Sequence, residues 1–165
     1  MTRPEAIKPA PGKESVWDYP RPPRVERVTK AIQIFFNGLE IADTRRAWRV
    51  LETSHPPVYY LPPADIRMDY LTPAAGTSWC EWKGQATYYN VQVASRTAEK
   101  VAWTYPRPAP AFSVIQDHIA FYAWAMDRCL FDGELVRPQP GNFYGGWITH
   151  EIVGPFKGEP GTTGW

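Results

Sequence analysis

Backbone breakers decide most of what this chain can become. Its 165 residues include 18 prolines and 12 glycines, spread through the sequence. Proline fixes φ, removes a backbone donor and pushes the residue before it toward extended geometry. Long helices are therefore excluded, and short strands joined by turns remain. The proportion of breakers stays below that of low-complexity chains, and aromatic residues make up 15% of the sequence, far more than a disordered chain carries. The expectation is a folded, soluble, turn-rich domain.

The period of the apolar residues agrees. Ile32, Ile34 and Phe36 alternate with Ala31, Gln33 and Phe35, a period of two. Asn37-Gly38 follows, the strongest short hairpin signal, because a type I′ turn needs positive φ at both central residues. Leu39–Asp43 returns as the second strand. Val58–Leu61 is a short β segment between two Pro-Pro pairs, and Ile66–Leu71 is expected as a strand, with Pro73–Thr77 as a turn. Trp79–Trp82, Ala86–Val93 and Thr97–Tyr105 also favour β structure, the last two joined through Ala94-Ser95-Arg96. Two segments stay open between strand and helix: Ala47–Glu52, and the apolar stretch Ile119–Phe131. Ala111–His118 suits one or two helical turns.

This pattern predicts an all-β fold: a compact antiparallel sheet domain, barrel-like or folded, with extended N- and C-terminal arms and little helix. Three parts are expected. Residues 1–23 form a Pro-rich arm whose first 12 residues are mobile and whose Trp17 and Tyr19 anchor it. Residues 24–136 form a single β domain built on one antiparallel sheet. Residues 137–165 form a Gly/Pro/aromatic tail without repetitive structure. The tail is expected to dock, either over an edge strand of its own domain or against a second subunit in a homodimer, because its large apolar side chains can offset the cost of ordering it.

Composition excludes several functions. A net charge of +1 offers no basic footprint for nucleic acid. The longest apolar run, Ile119 to Met126, falls short of the roughly 20 residues a membrane helix needs. The first 23 residues lack the apolar core of a secretory signal. Cys80 and Cys129 are too few for a disulfide framework, which implies a reduced, cytoplasmic setting.

Candidate chemistry centres on four groups. Cys80 and Lys83 pair a thiol with a lysine three residues away, and an ammonium nearby favours the reactive thiolate. These two are the candidate catalytic residues, with Glu52, His55 or His118 as a base; the alternative is a cysteine packed between Trp79 and Trp82. Arg45, Arg46 and Arg49 suit an anion clamp, since guanidinium forks match phosphate oxygens. Glu40, Asp43 and Glu52 are near enough in sequence to occupy them instead. Tyr59-Tyr60, Tyr88-Tyr89, Trp103 and Phe121-Tyr122 lie on several expected strands, and adjacent aromatics on a strand face opposite sides. One set can fill the core while the other walls a cleft. Arg45, Arg46, Arg49, His55, Tyr59, Tyr60, Tyr88 and Trp103 are the expected ligand-binding residues. His150 has no partner at metal-ligand spacing.

The segments RVLETSHPPVYYLPPADIRMDYL (Arg49–Leu71) and WCEWKGQATYY (Trp79–Tyr89) resemble a bacterial family, the domain of unknown function numbered 427, also labelled nucleotidyltransferase-like. The resemblance runs over about residues 20–135. It includes the Ala42–Ala47 segment, the Asp65, Arg67, Asp69 spacing, the Cys80, Lys83, Gly84 step and Ala102, Trp103 and Tyr105. The tail from Phe143 to Trp165 looks like that of longer members. The resemblance implies a largely antiparallel β fold, similar to the tent-like class that also holds methionine sulfoxide reductases. This chain lacks the paired CxxC knuckles of some of those relatives, which argues against a structural zinc. The nucleotidyltransferase label implies a Mg²⁺-binding carboxylate pair, and Asp65 with Asp69, four residues apart, is the only place for one. No cofactor follows from the family, which has no agreed activity.

Three functions follow for testing below: a domain binding a small, anionic ligand in an aromatic, arginine-lined pocket, a Mg²⁺-dependent nucleotidyltransferase-like enzyme, and a non-enzymatic protein-interaction module.

Overall fold

A computed structural model describes residues 3–165. The chain is all-β, with only short 3₁₀ turns between its strands. In chain order the strands are β1 (Glu14–Ser15), β2 (Arg24–Arg27), β3 (Ile32–Phe36), β4 (Leu39–Thr44), β5 (Trp48–Leu51), β6 (Val58–Tyr60), β7 (Leu71–Cys80), β8 (Gly84–Val93), β9 (Arg96–Thr104), β10 (Ile119–Phe121), β11 (Arg128–Phe131), β12 (Glu134–Leu135), β13 (Arg137–Pro138), β14 (Trp147–Ile148) and β15 (Ile152–Val153).

The single sheet expected from the sequence is instead divided into several. Two four-stranded sheets have the orders β10-β9-β8-β7 and β12-β11-β3-β4, and a three-stranded sheet has the order β2-β5-β6. All three are antiparallel. The cause is strand length. Only β7, β8 and β9 are long, and a three-residue strand such as β6, closed in by Pro56-Pro57 and Pro62-Pro63, cannot continue a broad ladder. A lone bridge between Leu61 and Ile119 ties the three-stranded sheet to β10. The sheets do not close into a barrel.

Asn37 and Gly38 take φ of 49° and 79° between β3 and β4, the type I′ geometry expected there. Both open segments resolve to β structure. Ala47–Glu52 contains β5, and Ile119–Phe131 is two strands, β10 and β11, around the 3₁₀ turn Ala123–Ala125. Two other expectations fail. Within Ile66–Leu71 only the two ends pair, Ile66 in a lone bridge to Ala42 and Leu71 as the first residue of β7, while Met68–Tyr70 between them is a 3₁₀ turn. Pro73–Thr77 is no turn: it lies inside β7, with a bulge between Ala74 and Thr77 and Gly76 at φ 92°. β7 is an edge strand, so a proline costs it no ladder bond on the open side, and a bulge needs a residue that tolerates positive φ.

The main core lies between the sheets, where Ile32, Ile34, Phe36, Tyr59, Val91, Phe121 and Trp147 are packed out of contact with water. A second cluster, with Tyr60, Trp103, Tyr105, Phe112 and Ile115, lies beneath the β7–β8 hairpin. The arms form a third. Val16, Trp17 and Tyr19 pack with Leu51 and Ile152, flanked by Phe156 and Trp165. Here β1 pairs with β15, in parallel. The tail also holds the short pair β13–β14, and Trp147 enters the main core. It therefore docks on its own chain, although Phe143 stays 75% exposed. No helix among the described residues is long and apolar enough to cross a membrane.

Candidate functional site

The alternation of side chains along the strands sorts the paired aromatics. On β6, Tyr59 points into the main core, with its ring 5.2 Å from those of Phe131 and Trp147, while Tyr60 points the other way. Tyr88 and Tyr89 divide in the same manner on β8, and Phe121 and Tyr122 do so at the end of β10. The outward members meet Trp103 on β9 and Tyr105 just past its end, and enclose a cleft of about 500 Å³. Trp103 packs against Tyr122 with centroids 4.6 Å apart and the rings tilted by 46°, and it donates through Nε1 to the Tyr60 hydroxyl at 3.4 Å. Tyr88 donates to Ser78 Oγ at 2.8 Å.

One rim is the β7–β8 hairpin. Cys80 is the last residue of β7 and pairs with Gly84, so Glu81, Trp82 and Lys83 form the turn. Trp79, Cys80, Trp82 and Lys83 all line the cleft. The opposite rim comes from the tail: Gln139, Phe143, Tyr144, Gly145 and Lys157. The Tyr122 hydroxyl holds this rim by donating to the Phe143 carbonyl at 2.9 Å. Gly145 meets the edge of the Trp103 ring so closely that a Cβ there would lie 2.1 Å from Cη2. Only glycine permits that approach.

Lys83 is the electrostatic centre. It is 9% exposed and takes part in no ion pair among the described residues. Its ammonium stands 5.6 Å from the centroid of the Tyr105 ring. Burial pulls its pKa down, Tyr60, Cys80 and Glu52 push it up, and the balance lies above the ordinary lysine value. Lys83 is therefore a cation at neutral pH without a direct ion pair. The carboxylate that acts on it, Glu52, lines the same cleft at longer range and is held by Arg21, and Glu81 also lines the rim. A charge taken out of water without a partner is costly, and a bound anion would supply the partner.

His55, at the tail side, is neutral. Gln139, 2% exposed, accepts from the Gly146 amide through Oε1 at 3.0 Å. Its Nε2 donates to the Lys157 carbonyl at 2.8 Å and to His55 Nδ1 at 3.1 Å. With both amide protons given away, His55 Nδ1 has to accept, so its proton sits on Nε2. Burial pulls the His55 pKa down to about 4; Glu52 opposes this, and Lys157, Arg21 and Lys83 reinforce it. Glu52 lies 3.7 Å from His55 Nε2 and is held by Arg21 at 3.1 Å.

Of the residues singled out by sequence, Cys80, Lys83, Glu52, His55, Tyr60, Tyr88, Trp103 and Tyr122 converge on this cleft, with Trp79 and Trp82 flanking the thiol. The remaining candidates lie elsewhere. Tyr59 is core. Arg46 grips Asp65 with two bonds, at 2.6 and 3.1 Å, and Thr44 donates to the same carboxylate at 2.6 Å. Arg49 is bonded to Glu14 at 2.6 Å and Glu26 at 2.8 Å, which fastens the N-terminal arm to β5. Arg45 and Asp69 are exposed. The cleft is thus edged by lysines where arginines were expected. His118 donates through Nδ1 to the Gln116 carbonyl at 3.1 Å, away from the cleft, and His150 contacts Glu134. No group of three or more His, Cys, Asp or Glu side chains is placed to hold a metal among the described residues.

Sequence reasoning missed Gln139, Tyr144 and Lys157, which sit far down the chain in a segment without periodicity. The one signal there was Gly145-Gly146 beside aromatic residues, a mark of close backbone approach. The chain belongs to the family described as a domain of unknown function (DUF427), whose pattern matches residues 24–132. The tail residues of the cleft fall outside that span. No curated protein matches the chain.

Proposed function

We propose that this domain binds a small, flat, anionic ligand in the cleft, with Lys83 as the counter-charge and the aromatic walls stacking on the ligand's ring. The observation that carries this reading is the buried, unpaired Lys83 ammonium inside an aromatic enclosure. Small-molecule sites combine mostly apolar walls with a few placed polar groups, and here those groups are Lys83, the Nε2–H of His55 and the hydroxyls of Tyr60 and Tyr88. An aromatic carboxylate satisfies both halves of the site. Its ring lies against Trp103 and Tyr122, and its carboxylate takes the place of the missing anion at Lys83.

The nucleotidyltransferase reading has less support in these residues. Asp65 is occupied by Arg46 and Thr44, and neither Asp65 nor Asp69 lines the cleft. A ligand selective for the folded state raises its melting temperature, so naphthoate and its uncharged amide form a direct test. At millimolar concentration naphthoate should raise the melting temperature by several degrees and the amide should do so far less. No shift from naphthoate, or equal shifts from both, would count against the proposal.

A further inference from the structure

The cleft contains one nucleophile that ligand binding does not use. Cys80 is half-buried at the end of β7, lines the cleft and shares its hairpin with Lys83. The other thiol differs in every respect. Cys129 is 1% exposed in the main core, and burial pushes its pKa far up. Both cysteines are free. A thiol beside an ammonium that lacks a counter-charge is placed to meet a ligand carrying both an anion and a group that sulfur attacks.

We infer that Cys80 is a covalent capture site for small carboxylate-bearing disulfides, which it holds as mixed disulfides with the carboxylate against Lys83. This rests on the anion-binding reading of the cleft. Exchange begins when Cys80 loses its proton to solvent. Its thiolate attacks one sulfur of the bound disulfide. The new bond to Cys80 Sγ forms as the original S–S bond breaks, and the electron pair leaves on the second sulfur as a free thiolate. The incoming disulfide is the only oxidant required. Lys83 contributes position: by holding the carboxylate it raises the concentration of the disulfide at Cys80. Trp79, 75% exposed on the rim, leaves the approach open.

Two probes of equal length and opposite charge test this, dithiodipropionate and cystamine. Mixed-disulfide formation on the full chain is followed by intact mass, with peptide mapping to locate it. N-acetylcysteinamide, which carries no carboxylate, serves as the reference thiol, since an anionic thiolate by itself favours the cationic probe. The expected result is modification of Cys80 and not Cys129, with the dithiodipropionate-to-cystamine rate ratio roughly tenfold above that of the reference, the size of effect one short ion pair supplies. Molar salt should collapse that advantage, and Lys83→Gln should erase it. A native Cys80 that resists both probes, or a rate ratio equal to that of N-acetylcysteinamide, overturns the inference. The wild-type ratio decides the matter even if Lys83→Gln fails to fold. Naphthoate binding separates the two readings. If it persists while Cys80 shows no preference, covalent capture alone is wrong; if both are absent, the anion site itself is wrong.

Discussion

Trp147→Ala should lower stability by about 3–5 kcal/mol, the range for truncating a buried tryptophan. For a domain of this size that is a fall of roughly 6–20 °C in melting temperature. Trp147 is 1% exposed, although it belongs to a tail rich in glycine and proline. Its ring packs 5.2 Å from that of Tyr59, its Nε1 donates to the Phe121 carbonyl at 3.1 Å, and its amide donates to the Pro57 carbonyl at 2.8 Å. Alanine would leave a cavity in the main core and an unpaired carbonyl on β10. Phe143→Ala is the matched control, since Phe143 is 75% exposed and exposed substitutions usually stay within about 0.5 kcal/mol. Thermal melting of the two variants checks the difference. If Trp147→Ala melts with the wild type, the tail is an appendage and not part of the core.

Acidification should produce the second large effect, through His55. In the unfolded chain this histidine takes up a proton near its ordinary pKa of 6.5; in the folded protein burial delays uptake until about 4. Between those values the unfolded state binds more protons, so stability is complete above about pH 6.5 and falls as pH drops toward 4. The full difference is about 3 kcal/mol, equivalent to roughly 6–12 °C in melting temperature. The hydrogen bonds have the same sign. Protonating Nδ1 would set it against the Gln139 amide that now donates to it. Melting curves across this interval for wild type and His55→Phe provide the check, with a flatter profile expected for the variant. Equal slopes would show that the loss belongs to carboxylates such as Glu14 and Asp127, whose pKa values lie below the ordinary range.

Much of the fold was legible because local signals and tertiary packing agree. Asn37-Gly38 set a hairpin, and the doubled aromatics at 59–60, 88–89 and 121–122 divide between core and cleft as strand alternation requires. The misread segments are those where context overrides propensity. Pro73 and Gly76 signal a turn wherever both sides of a strand must pair, yet at a sheet edge they are compatible with a bulged strand. Met68–Tyr70 has strand-forming neighbours but closes into a 3₁₀ turn behind Pro62-Pro63. The site was half legible. Cys80 and Lys83 are close in sequence, so their shared hairpin follows from local turn chemistry. Sequence could not show that Arg46 and Arg49 would be occupied by Asp65, Glu14 and Glu26, because those acids arrive from distant segments. Gln139 is 84 residues from the His55 whose tautomer it sets, and no local pattern records such a pairing.

The central claim is that Lys83 waits for an anion, and calorimetric titration of naphthoate into wild type and Lys83→Met at low ionic strength addresses it. Methionine keeps most of the length of lysine and removes the charge, so folding should survive, with a melting temperature equal to or above that of wild type, because an unpaired buried charge is lost. Binding should weaken by roughly tenfold or more, the loss of one short ion pair, and the naphthoate and naphthamide affinities should converge. A Lys83→Met protein that binds naphthoate as tightly as the wild type would contradict the account.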